Sequence, residues 1–259
     1  MNVSPLRYPG GKTRACKKLD EIMKEYFDMS QFDQVVSPFF GGGSFEFYLH
    51  HQYQLKVIAN DKFQPLYQFW KICKNDSQEM GNELVQWLNK VDKEVFLDMR
   101  KNILDETNPF HQACMYFIIN RCSFSGATLS GGFSFESSKK RFTLSSIEKI
   151  KNLQLNDFTF TNLDFEECLL TTPSNSFLFL DPPYYLEKKS KLYGSNGDLH
   201  ENFDHERLFQ VISTKTNWMM TYNSCEYIKN LYKDFRIIQT NWSYGMNQTK
   251  KSSEIVIIG

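Results

Sequence analysis

The stretch Gln34 to His51, QVVSPFFGGGSFEFYLHH, decides how the rest of the chain is read. QVVSP is short, apolar and β-branched, which suits a buried strand. Three glycines and a serine follow, and an aromatic-rich helical pattern begins. Strand, glycine-rich turn and helix, in that order, make the first unit of a dinucleotide-type α/β fold. The glycine spacing is not GxGxxG, which argues against a nicotinamide cofactor. KVIAND (56–61) reads as a second strand that closes on an acid, and Phe63 to Lys74 has helical spacing.

Downstream, strand signals return at 157–163 (DFTFTNL), 176–180 (SFLFL), 217–222, 235–242 and 253–258, with helical patterns at 204–214 and 224–233. Between them lies a long stretch of another kind. ELVQWLNKV, VFLDMRKNIL and HQACMYFIIN have helical spacing, and Pro109 is placed to start the third of these helices. Residues 121–146, rich in Ser, Gly and Phe, read as loop. The expected architecture is therefore a Rossmann-like α/β core, built from 1–75 and 156–259, with a mainly helical domain inserted at 76–155.

Composition narrows the class. The formal net charge is zero over 259 residues, so any binding of phosphate must rest on local clusters of positive charge. The six cysteines form no CxxC pair, which argues against zinc fingers and a disulfide scaffold, and fits reduced thiols inside a cell. The amino-terminal MNVSPLRYPGGKTR has no apolar run, and no stretch approaches ~18 apolar residues. The expectation is an intracellular protein, cytoplasmic or with DNA, that is neither secreted nor inserted in a membrane.

Three segments carry chemistry. Asp181-Pro182-Pro183-Tyr184 follows the apolar run SFLFL, so it lies at the carboxyl end of a strand, where α/β sheets build their sites. Two prolines fix the backbone and remove two N–H groups. The Asp181 carboxylate and the Pro182 carbonyl are then two acceptors for the two hydrogens of one planar amine. Accepting both localises the nitrogen lone pair, and Tyr184 offers a flat face on which an extruded base can stack. The second segment is the glycine-rich loop, with Phe40, Gly41, Gly43 and Ser44 placed for a cofactor and Asp61 beyond it suited to two ribose hydroxyls. The third is Tyr8-Pro9-Gly10-Gly11-Lys12, which lacks P-loop spacing. There Lys12 suits a carboxylate, such as the methionine end of a cofactor, and Tyr8 suits the same ligand. Read alone, Asp61 serves equally as a helix cap and YPGGK as a plain turn.

Taken together, YPGGK (8–12), PFFGGGS (38–44), ND (60–61), DPPY (181–184) and SEIVIIG (253–259) resemble the DNA adenine methyltransferase (Dam) family, in that family's order and along nearly the whole chain. The resemblance implies transfer of a methyl group from S-adenosyl-L-methionine to N6 of adenine in double-stranded DNA, through a flipped base and without a metal. It implies cofactor contacts at Tyr8, Lys12, Asp61 and Asp181, and places Asp164 and Phe165 beside the cofactor's adenine. Met219 to Asn223 resemble the family's late strand near the target-base pocket. It implies double-stranded DNA as partner and, for an enzyme of a restriction–modification pair, a cognate endonuclease. Other substrates for the same amine chemistry are RNA adenine and cytosine N4, although cytosine enzymes more often carry Ser in place of Asp181. A DNA-binding relative without activity would be expected to lose Asp181 or Lys12, and both are present.

One segment departs from the family. Dam enzymes that act on GATC carry an FNG-type segment and a G-x-FNVP-x-G stretch, where this chain has NRCSFSG (120–126) and SGGFSFESSKKRFT. A GATC target does not follow. For contacts to DNA, positive charge clusters at Lys139-Lys140-Arg141, at Lys188-Lys189-Lys191 and at Lys250-Lys251, all in predicted loops. Asn120 and Arg121 have the chemistry to read base edges, or else hold their loop together.

Overall fold

The computed structural model describes residues 3–8, 10–185, 203–242 and 252–259. Among these residues seven strands form one sheet: β1 (Gln34–Ser37), β2 (Lys56–Asn60), β3 (Phe158–Thr161), β4 (Ser176–Leu180), β5 (Trp218–Asn223), β6 (Arg236–Trp242) and β7 (Ser252–Ile258). Their order is β3-β2-β1-β4-β5-β7-β6. Strands β1 to β5 pair in parallel, and β7 runs antiparallel to both β5 and β6. From β1 the chain winds outward to β3 on one side, then returns to lay β4 and β5 on the other. The loops after β1 and β4 therefore diverge and leave a crevice at the strands' carboxyl ends. FFGGGS follows β1 and DPPY follows β4, so the topology brings the two sequence signals to one place.

Strand periodicity divides the core into two. Val35, Phe177, Phe179 and Met219 face one side of the sheet, and Val36, Leu178, Leu180 and Met220 face the other. The first side is covered by α1 (Cys16–Tyr26), α2 (Ser44–Tyr53) and α3 (Gln64–Asn75), the second by α9 (Phe165–Leu170), α10 (His205–Ile212) and α11 (Glu226–Leu231). Helix α1 shows how little is needed: Cys16, Leu19, Ile22 and Met23 form one buried stripe at helical spacing, and the remaining face is polar.

Between α3 and β3 lie the helices α4 (Ser77–Gln86), α5 (Lys93–Asn102), α6 (Pro109–Cys122), α7 (Phe135–Lys140) and α8 (Leu144–Lys151). Pro109 opens α6, with the Asn108 side chain capping Phe110 and His111. Their buried residues, among them Leu84, Phe96, Phe117, Ile119 and Ile147, belong to the same continuous core as Val35 and Val57. Phe117 of α6 stacks on Phe69 of α3 with ring centroids 5.9 Å apart. Truncating such a ring costs about 3–5 kcal/mol, so this segment is anchored to the sheet's first side.

Residues 121–146, expected as loop, contain two short 3-10 turns, helix α7 and the start of α8. Two of the serines that suggested loop cap helices. Ser134 accepts from the Ser137 amide, and Thr143 with Ser146 forms a reciprocal capping box. Lys139 and Lys140 accordingly sit in the last turn of α7 rather than in a loop. Among the described residues no helix is long and apolar enough to cross a membrane.

Candidate active site

A cavity of about 660 Å³ opens at the crevice between the ends of β1 and β4. That volume suits a ligand of cofactor size. Tyr8, Lys12, Phe40, Gly41, Gly43, Ser44, Asp61, Asp164, Phe165, Asp181, Pro182 and Tyr184 all line it. Residues separated by up to 176 positions in sequence thus share one wall.

The centre of the site is an ion pair. Lys12, 4% exposed, donates from Nζ to both Asp181 oxygens at 2.8 and 2.7 Å, and to the Gly10 carbonyl at 3.1 Å. Its ammonium also lies 5.2 Å from the centre of the Tyr184 ring. The Thr221 hydroxyl, fully buried on β5, donates to Asp181 Oδ1 at 2.6 Å. Parallel pairing of Leu180 with Met220 sets this contact, because it brings the residue after each strand position into register. The carboxylate that Lys12 meets is therefore the chain's own, and the carboxylate orientation is fixed from two sides.

Deeper in the same wall lies Glu46, in the first turn of α2 and 2% exposed. It accepts a 2.5 Å hydrogen bond from the Ser37 hydroxyl. Burial pushes its carboxyl up to about 8, against the opposing hydrogen bonds from Ser37 and its own amide. The nearby Cys16 thiol is pushed up to about 12, chiefly by burial, and is no nucleophile.

At the other end, Asn60 and Asp61 divide the work of an acid-ended strand. Asn60 is buried and ties the loops together: its amide donates to the Pro38 and Leu163 carbonyls and accepts from the Leu163 amide and the Thr161 hydroxyl. Asp61 accepts from the Gly41 and Phe63 amides, each at 2.9 Å. Burial lifts its carboxyl to about 6 despite these two donors. Each carboxylate oxygen keeps a lone pair for a further donor, which is the requirement for holding two ribose hydroxyls.

Asp164 caps α9 and accepts from Lys62 at 2.8 Å and Arg207 at 2.6 Å. Its burial would raise the carboxyl, but the hydrogen bonds from Lys62, the Glu166 amide and Arg207 outweigh it and hold the group below the usual range. The Phe165 ring is buried against Phe39 and Phe203, and the Arg207 guanidinium lies 4.4 Å from its centre. The glycine loop is shaped by two aromatic rings. A Cβ on Gly41 would come within 2.8 Å of the Tyr8 ring, and on Gly43, where φ is +66°, within 2.3 Å of the Phe40 ring. Phe40 itself is a core residue packed edge-on against Trp70, and contributes one wall of the cavity.

The residues expected at DNA are less unified. Asn120 cannot read a base edge as it stands. It is fully buried, its amide donates to the Arg7 carbonyl at 2.7 Å and to Thr128 Oγ1 at 3.2 Å, and it accepts from the Arg7 amide at 3.1 Å. The need to pair this buried amide with backbone explains the residue. Arg121 stacks over Phe117 and donates from Nε to the Arg141 carbonyl at 3.0 Å. Lys139 and Lys140 are exposed, Lys140 paired with Glu136 across one turn. Lys188, Lys189, Lys191, Lys250 and Lys251 lie outside the described residues.

Sequence reasoning did not single out Glu46, Arg207 or Phe124. Phe124 is 69% exposed on the 3-10 turn just before Ala127, Thr128 and Leu129, which line the cavity. No local pattern marks Glu46 or Arg207, since each acquires its place from a partner elsewhere, Ser37 and Asp164.

Comparison with known proteins agrees with this geometry. Residues 8–246 match the family described as D12 class N6 adenine-specific DNA methyltransferase. The chain is 24% identical to the type II methyltransferase M.MjaIII of Methanocaldococcus jannaschii, over 92% of this chain and 90% of that one. It is 24% identical to the type II methyltransferase M1.LlaDCHI of Lactococcus lactis subsp. cremoris, over 99% and 95%. It is 25% identical to the DNA adenine methylase of Vibrio cholerae serotype O1, over 69% and 64%. With a family match spanning both signals of the crevice and nearly everything between them, the chain belongs to the D12 class of N6 adenine-specific DNA methyltransferases.

Proposed function

We propose that this protein is a site-specific enzyme that methylates N6 of an adenine flipped out of double-stranded DNA, with S-adenosyl-L-methionine as donor. The observation that supports it most is the doubly held Asp181 carboxylate at the end of β4, with Pro182 and Tyr184 beside it on the rim of the cavity. When bound, the cofactor supplies an electrophilic sulfonium methyl. Asp61 is suited to its ribose, Phe165 and Asp164 to its adenine, and the loop from Phe40 to Ser44 to its amino-acid end.

The chain's own residues then do the following. Tyr184 stacks on the extruded base. Asp181 and the Pro182 carbonyl accept the two amine hydrogens and so turn the nitrogen lone pair toward the methyl carbon. With the cofactor bound, that lone pair would form the N–C bond, the C–S electrons would stay with sulfur, and the surplus amine proton would then be lost to solvent. Asp181 stabilises the positive charge on nitrogen in the meantime. Lys12 and Thr221 keep the carboxylate from turning. Residues 76–155 are the segment suited to choosing the target sequence, with the exposed Lys139 and Lys140 as phosphate contacts. The type II relatives support a modification enzyme that works beside a cognate endonuclease.

The test is single-turnover methylation of DNA by Asp181→Ala with saturating cofactor. Loss of a preorganised contact of this kind costs about 10²–10³ in rate. A folded variant that methylates DNA at the wild-type rate would overturn the assignment.

A further inference from the structure

We infer that Glu46 receives the α-ammonium group of the cofactor's amino-acid end, and gives up its own proton as the cofactor binds. The inference rests on the cofactor reading above and assigns a residue to a group that the reading leaves without a partner.

The amino-acid end is a zwitterion, and its ammonium needs a negative group in the wall that holds it. Glu46 lines the same cavity, is 2% exposed, and is held in place by the Ser37 hydroxyl at 2.5 Å. Among the described residues, the charged and titratable groups that act on it are Lys12 on the amino-terminal segment, Asp181 after β4 and the Cys16 thiol on α1. Lys12 and Asp181 already neutralise one another through contacts of 2.7 and 2.8 Å. An ionised Glu46 would thus be a surplus buried charge, and such charge is costly without a counter-ion. Burial, with a smaller push from Asp181, accordingly raises its carboxyl to about 8, against the pull of Ser37, its own amide and Lys12. At neutral pH the group stands protonated until a cation arrives. An ammonium brings three N–H donors and a full charge, whereas a sulfonium brings no hydrogen bond, so the carboxylate matches the ammonium.

The exchange balances without a co-reactant. The Glu46 carboxylic acid and the cofactor's ammonium become a carboxylate–ammonium pair, and one proton passes to the buffer. The bond made is an ion-paired hydrogen bond, and the bond broken is the carboxyl O–H.

Calorimetric titration at pH 7 in buffers of different ionisation enthalpy counts that proton. The ligands are S-adenosylhomocysteine, which keeps the ammonium and lacks the sulfonium charge, and 5′-methylthioadenosine, which lacks the amino-acid end. For an acid near 8, the wild-type protein should release about 0.9 proton more with the first ligand than with the second. Glu46→Gln should lose that difference, bind S-adenosylhomocysteine about tenfold or more weakly, and bind methylthioadenosine as before, which also shows that it is folded. Equal proton release for the two ligands in the wild type overturns the inference, whether or not the variant folds. So does a Glu46→Gln protein with unchanged affinity and proton count. Failure of the wild type to bind S-adenosylhomocysteine at all removes the cofactor reading together with this one.

Discussion

Thr221→Val removes one hydroxyl from the site and little else. Valine has nearly the shape of threonine, and residue 221 is fully buried in β5. What is lost is the 2.6 Å hydrogen bond to Asp181 Oδ1, together with a marginal 3.5 Å contact to the Leu180 carbonyl. A hydrogen bond to a charged group contributes about 1.5–3 kcal/mol, and ~1.4 kcal/mol corresponds to tenfold in rate. Lys12 still grips both carboxylate oxygens, so Asp181 gains freedom to tilt rather than to leave. The loss should fall at the low end, with methyl transfer slowed about tenfold. Thr221 touches neither the cofactor's ribose site nor the Tyr184 face directly, so affinity for S-adenosylhomocysteine should hold. Stability should drop by ~1–2 kcal/mol, at about 2–4 °C in melting temperature per kcal/mol for a chain of this size. The assay is single-turnover methylation at saturating cofactor, with circular dichroism melts and cofactor titration alongside. A wild-type rate in a protein that melts lower would show that Thr221 supports the fold and not the orientation of Asp181.

Asp61→Ala should weaken binding of the cofactor by about 1.5–3 kcal/mol, read by calorimetry, and unchanged affinity would remove Asp61 from the site. With methylthioadenosine, which keeps the ribose, wild-type affinity should be full above about pH 6 and fall below it, because burial holds the Asp61 carboxyl near 6 and only the ionised form accepts both hydroxyls. Exchanging 76–155 for the matching segment of a relative with another target should change the methylated sequence, as sequencing for methyladenine would show; the chimera must keep Phe117 and its neighbours, which are buried against α3. Gly43→Ala should cost at least ~1–2 kcal/mol for its left-handed backbone alone, with more from the 2.3 Å approach to Phe40, and a melting temperature equal to wild type would contradict the loop geometry.

Much of this was legible in the sequence because the strands are buried and short. SFLFL coincides with β4 residue for residue, and DPPY falls where the strand order makes a crevice. Asp61 and Lys12 could be placed at the cavity only from the order of all the motifs together, since each motif alone also fits a cap or a turn. Residues 121–146 were misread because Ser and Thr favour both loops and helix caps, and the cap at Thr143 closes with Ser146 instead of the usual Glu or Gln. The sequence leaves two roles open for Asn120 because its partners, the backbone groups of Arg7, lie 113 residues away. The same distance effect hid Glu46: within FFGGGSFEFY it is one polar residue in a helix, and only the fold reveals a buried acid opposite a lysine and an aspartate.

The order of the strands also has a consequence for synthesis of the protein. Lys12 leaves the ribosome 169 residues before Asp181, and Thr221 later still. Strand β5 then needs β7 as its outer neighbour, and β7 holds residues 252–258. Pairings this remote in sequence form late, because the closure of such long loops costs entropy before any contact repays it. A chain translated only as far as β3 therefore carries Lys12 and the glycine loop but no Asp181 to pair with them. Competence to modify DNA waits on β4, β5 and β7 together, and a chain terminated before residue 252 lacks the strand that pairs with β5.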